Sequence, residues 1–134
     1  MEKLITFRQY SESELLNVST STLAWIGDAV FTLAIREYFL DKQNTKPVSL
    51  HRLATTKVNA EAQSEALKKI EHMLTEQEQS VVRRAKNSPI STKSKHYGLA
   101  EYKRATGFEA LIGYLYLLDN RSRLNEILAI VLED

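Results

Sequence analysis

Apolar residues recur at three- and four-residue intervals through most of this chain, and no stretch alternates apolar with polar residues for long. That periodicity belongs to helices whose one side is buried, not to half-buried strands. Four glycines and two prolines are all that punctuate 134 residues, so the breaks between helices are few. The expectation is an all-α fold, a helical bundle in a single domain spanning residues 1–134, since a chain of this length fits one core. Helices are expected near Ser11–Asn17 and from the Ser19–Thr22 cluster of capping residues to about Asp41. Another begins near Val48 or Ser49, and Asn59 caps a further one over Ala60–Met73 unless the two run on. Thr75 with Glu78 forms a capping-box pattern opening a helix to about Asn87. A long helix covers Leu99 or Glu101 to Leu118, and after an Asp119–Asn120 turn the last one covers Arg121–Leu132. Lys42–Pro47 and the basic stretch Ser88–Tyr97 read as loops.

Composition excludes several classes of function. There is no cysteine, so no disulfide framework and no thiolate metal site is available. No apolar run reaches the length of a membrane span, and the first ten residues do not resemble a secretion signal, so a cytoplasmic protein is the expectation. His51, His72 and His96 have no metal-ligand spacing. Neither a glycine-rich phosphate loop nor a serine–histidine–aspartate set is present. The net charge of +1 does not announce a nucleic-acid binder, but charge is unevenly distributed. Arg83, Arg84, Lys86, Lys93, Lys95, Lys103 and Arg104 face only Glu101 within their stretch, which predicts a basic face. For any one of them a solvated surface position is the alternative.

Two acids stand alone. Asp28 is the only charged residue between Thr20 and Ile35, and Glu109 the only one between Ala105 and Leu118. Both sit among apolar residues of a helix, where an ionised carboxylate costs several kcal/mol unless it is paired or binds a metal. Either alone can cap a neighbouring backbone or pair with a distant arginine. Glycines flank both: Gly27 beside Asp28, Gly107 and Gly113 around Glu109. A glycine inside a helix is usually compensated by close approach of another backbone. Two helices packed tightly where each carries a carboxylate would share a divalent cation in an apolar cleft. Oxygen donors favour magnesium, with manganese as a substitute, over zinc.

The same residues carry a family pattern. Leu23-Ala-Trp-Ile-Gly-Asp28-Ala-Val-Phe31 resembles the ribonuclease III signature, and Phe108-Glu109-Ala-Leu-Ile-Gly-Tyr-Leu-Tyr-Leu117 resembles that family's second motif. Val58-Asn59-Ala-Glu61 lies between them, as a Val-Asn-Glu-type element does in the family. Thr45-Lys-Pro47 with Leu50-His51, Arg83-Arg-Ala-Lys-Asn87 and Tyr102-Lys-Arg-Ala-Thr106 are similar to the short branch, Mini-ribonuclease III. The resemblance covers about residues 19–132.

It implies a homodimeric, metal-dependent endoribonuclease that cuts double-stranded RNA to leave 5′-phosphate and 3′-hydroxyl ends. By resemblance the substrate is precursor 23S ribosomal RNA, with a ribosomal protein as a partner on it, and no separate RNA-binding domain is expected. Asp28 matches the family's catalytic aspartate and Glu109 its metal-binding glutamate. Two further family acids fall where this chain has Ala24 and Thr106, which implies a leaner metal shell. Ala85 stands where the short branch typically has glycine. The basic residues from Arg83 to Arg104 become the candidate RNA contacts, and the dimer surface is expected to draw on Trp25 and Phe31. The competing reading is a non-catalytic, helical, dimeric RNA- or ribosome-binding module.

Overall fold

A computed structural model describes residues 8–43, 46–89 and 98–133. Within them lie seven helices and no strand: α1 (Glu12–Leu16), α2 (Thr20–Gln43), α3 (Pro47–Thr55), α4 (Ala60–Ile70), α5 (Glu76–Lys86), α6 (Leu99–Leu117) and α7 (Arg121–Leu132). A single 3-10 turn, Glu71–Met73, links α4 to α5. The all-α class therefore holds for the described residues.

The helix starts follow from local chemistry. Each leaves backbone N–H groups without a helical partner, and a short polar side chain just upstream accepts from one of them. Ser11 and Thr75 build full capping boxes with Glu14 and Glu78. Ser19 accepts from the Thr22 N–H, Asn59 from Ala62 and Asn120 from Arg123. Pro47 occupies the first turn of α3, where its missing N–H costs nothing. The helices on either side of Asn59 are separate, and what was expected as the end of α4 tightens into the 3-10 turn. Between α6 and α7, Asp119 adopts φ 59°.

Helix α6 is the axis of the bundle. Its residues Ala105, Phe108 and Ala110–Leu115 are buried, and α2, α4, α5 and α7 pack around it. The core joins Leu23, Phe31 and Ile35 of α2 to Leu67 and Ile70 of α4, Val81 of α5, Phe108 and Leu111 of α6 and Ile127 of α7. Phe31 and Phe108 meet edge to face, with ring centroids 5.0 Å apart. A buried ion pair ties the bundle's far end: Arg123 of α7 donates from Nε and Nη2 to Glu78 of α5 at 2.9 and 2.7 Å and from Nη2 to the Met73 carbonyl at 2.7 Å.

Helix α2 corrects one expectation. Its apolar residues ring the helix, and the inward line is Leu23, Gly27, Phe31, Ile35 and Phe39. Phe31 is thus a core residue and is not available to a partner. Trp25 points the other way and is 73% exposed, together with exposed Leu33 and Leu40.

Candidate active site

The crossing of α2 and α6 brings Asp28 and Glu109 together. A β-carbon on Gly27 would stand 1.7 Å from the Glu109 carbonyl oxygen, and one on Gly113 1.9 Å from the Leu23 carbonyl oxygen. No side chain fits at either position, so the two helices touch backbone to backbone. Asp28 follows Gly27 directly, and Glu109 lies one turn before Gly113. The carboxyl groups of Asp28 and Glu109 consequently come close enough for each to act on the other. Gly107 plays no part in this contact. It faces α5, where its missing β-carbon would meet Val82 and Lys86.

Burial pushes the Glu109 carboxyl up to about 8, with the neighbouring Asp28 carboxyl acting in the same direction. The Gln63 amide opposes them. Its Nε2 donates to Glu109 Oε2 at 3.4 Å from α4. The environment is less enclosed than expected: Glu109 is half-buried, but Asp28 is exposed to solvent. The site is an open-sided notch, with one acid set into the core and one at its rim. Among the described residues no group of three or more histidine or acidic side chains converges anywhere. The two positions expected to lack acids add no carboxylate: Ala24 is buried, and the Thr106 hydroxyl donates back to the Tyr102 carbonyl at 3.0 Å.

Gln63 and its neighbour Ser64 went unnoticed in the sequence. Both are buried, at 5% and 0% exposure. The signal was there: Gln63, Ala66, Leu67 and Ile70 have the spacing of a single buried helix face, and a polar residue on such a face needs a partner. Ser64 Oγ accepts from Arg104 Nε at 2.6 Å.

The basic residues do not form one surface. Arg83 is exposed, and Lys86 and Lys103 are half-buried. Arg84 turns inward, and its Nε and Nη2 are buried without a hydrogen-bond partner. Its guanidinium is therefore withdrawn from the expected RNA contacts. Lys93, Lys95 and His96 lie outside the described residues.

Comparison with known proteins identifies the family. A family model, the ribonuclease III domain, matches residues 21–120. The chain belongs to the ribonuclease III family. Its relatives include the Mini-ribonuclease 3 of Clostridium tetani, 37% identical over 98% of this chain and 88% of that protein. The Mini-ribonuclease 3 of Symbiobacterium thermophilum is 43% identical over 84% of this chain and 87% of its own length. A crystal structure of a Fusobacterium nucleatum protein superimposes with a TM-score of 0.80 at 37% identity, covering 88% of this chain and 94% of that one. The short branch is thus where the chain's likeness lies, as Thr45–Pro47 with Leu50-His51, Arg83–Asn87 and Tyr102–Thr106 imply.

Proposed function

We propose that this chain, as one catalytic domain over residues 1–134, cuts double-stranded RNA as a homodimer, with magnesium held by Asp28 and Glu109. Membership of the ribonuclease III family makes it an endoribonuclease of that type. The observation that carries the site assignment is the contact between two carboxyl groups fixed by a side-chain-free helix crossing.

The donor set fits a magnesium ion. It is all oxygen, and two carboxylates with water and phosphate completing the shell is an ordinary arrangement for that metal. Two carboxylates this close repel, and the raised Glu109 shows that repulsion together with burial. A divalent cation held by Asp28 and Glu109 would offset both the burial and the repulsion that favour a proton on Glu109. When bound, it supplies a water of lowered pKa and offsets charge on the leaving 3′ oxygen. On this reading exposed Asp28 faces the RNA backbone and half-buried Glu109 anchors the ion from within. Gln63 keeps the Glu109 carboxylate oriented through its amide hydrogen bond. The products are then 5′-phosphate and 3′-hydroxyl ends.

A second copy of the chain fits the outward face of α2. Trp25 projects from it, beside an apolar groove of about 560 Å³ lined by Ile26, Val30, Leu33, Leu124 and Leu128. A knob and a hollow on one face suit a two-fold contact. Such a dimer presents two notches to one A-form helix, whose wide minor groove is read by shape. The substrate we assign is precursor 23S ribosomal RNA, with a ribosomal protein as a possible companion on it. Among the described residues no helix is long and apolar enough to cross a membrane, which is consistent with work in the cytoplasm.

The test incubates purified protein with a perfect RNA duplex and magnesium, beside Asp28→Asn and Glu109→Gln. The wild type should cut both strands, and each variant should lose at least about a hundredfold in rate. An inactive wild type, or an Asp28→Asn variant of full activity, would favour a binding module that kept the fold.

A further inference from the structure

Two consecutive side chains of α4 grip two side chains of α6. Gln63 donates to Glu109, and Ser64 accepts from Arg104. The first holds a carboxylate of the notch. The second holds a cation five residues earlier on the same helix. Ser64 is fully buried, so its hydroxyl has to be satisfied from within the protein, and Arg104 Nε does this at 2.6 Å.

An arginine carries five N–H donors in a planar fork. In Arg104 only the one on Nε is engaged. Neither terminal nitrogen has a hydrogen-bond partner among the described residues, and neither is among the buried unpaired nitrogens, so on this half-buried side chain neither is sealed from solvent. Arg104 is therefore fixed at its base and open at its tip. Arg84 has its Nε and Nη2 buried, and Arg83 is exposed with no side-chain hydrogen bond among the described residues to fix it.

Charge makes a fixed cation here useful. The carboxylates of Asp28 and Glu109 bring two negative charges and a divalent cation cancels them, which leaves nothing for the phosphodiester that must approach. A guanidinium supplies the missing positive charge, and its fork matches two phosphate oxygens in a way that an ammonium group does not.

We propose that Arg104, aimed by Ser64, clamps the phosphate of the RNA strand being cut. Its terminal nitrogens donate to the non-bridging oxygens and stabilise the charge that builds there during attack. Arg104 is then a catalytic residue and Ser64 a positioning residue. The proposal rests on the nuclease reading, and the two fail in different ways.

The experiment uses the full chain with a short RNA duplex. Single-turnover cleavage is measured with magnesium, and equilibrium binding without added metal across a range of salt. Arg104→Gln should slow cleavage about a hundredfold and reduce the slope of log affinity against log salt by about one. Arg104→Lys should restore the slope but recover only part of the rate. Ser64→Ala should keep the slope and lose about tenfold in rate, since charge remains and direction is lost. A wild type that cuts while Arg104→Gln cuts equally fast with an unchanged slope overturns the clamp. A wild type that binds but never cuts overturns the nuclease reading, and the slope of Arg104→Gln still decides whether this residue meets phosphate. Should Arg104→Gln fail to fold, a wild-type rate in Arg104→Lys refutes the need for the fork.

Discussion

Gly27 and Gly113 face each other across the α2–α6 crossing, each backbone nitrogen less than 3 Å from where the other's β-carbon would stand (2.8 and 2.9 Å). The obstacles are backbone atoms of rigid helices, which cannot yield as a side-chain tip can. Gly27→Ala and Gly113→Ala should each destabilise the protein by about 3 kcal/mol or more. Gly107→Ala is the control. Its β-carbon meets Val82 Cγ1 at 3.1 Å and Lys86 Cγ at 3.2 Å, both side-chain atoms. There the gain in helix propensity, about 0.5–1 kcal/mol, offsets the crowding. Urea unfolding of the three variants should separate them cleanly. Equal midpoints would mean that the crossing is not tight.

Stability of the metal-free protein should depend on pH through Glu109. Its carboxyl is raised from 4.5 to about 8 on folding, chiefly by burial. A group raised in the folded state contributes stability that is fully present below the unfolded value and lost as pH climbs through the folded one. The unfolding midpoint should therefore fall between about pH 5 and pH 8. Glu109→Gln should not show that fall, and millimolar magnesium at pH 8 should reverse it in the wild type. A flat wild-type profile over this window would contradict the reading.

Glu78 should act at the opposite end of the scale. Burial pulls its carboxyl up, but hydrogen bonds from Arg123 and the Thr75 N–H, with the Arg123 charge, outweigh burial and hold it below the ordinary value of 4.5. A lowered acid contributes stability above its unfolded pKa, lost as pH falls through its folded one. Glu78→Ala should cost about 1.5–3 kcal/mol at neutral pH, because it removes the charge-assisted bonds to Arg123, which keeps Glu126 and the Met73 carbonyl as partners. The difference from wild type should shrink in acid below about pH 4. Differential scanning at several pH values measures both effects.

Arg84 supplies a prediction against intuition. Its buried Nε and Nη2 gain no hydrogen bond, so the charge is a burden on the fold. Arg84→Met should be at least as stable as the wild type and should leave the salt dependence of RNA binding unchanged. A loss of one phosphate equivalent from that slope would show that the side chain swings outward to meet RNA.

What was legible in the sequence divides along a physical line. Caps are short-range, and so Ser19, Asn59 and Thr75 with Glu78 act where their spacing placed them, while Ser11 and Asn120, expected as a helix start and a turn, prove to be caps as well. Asp28 and Glu109 stood out because a lone charge among apolar neighbours is costly wherever the helix points. Directions around a helix were harder. Apolar residues surround α2, so periodicity alone did not separate inward Phe31 from outward Trp25. Arg84 looked like its basic neighbours until α5 met the core. Gln63 and Ser64 carry no charge to set them apart from a polar surface, though a neutral polar group on a buried face obeys the same rule.

The chain contains one tryptophan, and it is the residue standing free on the outer side of α2. Its fluorescence is consequently a gauge of assembly that needs no label. Light emitted at long wavelength marks a ring in water, and a shift to shorter wavelength on concentrating the sample marks the same ring covered by another copy.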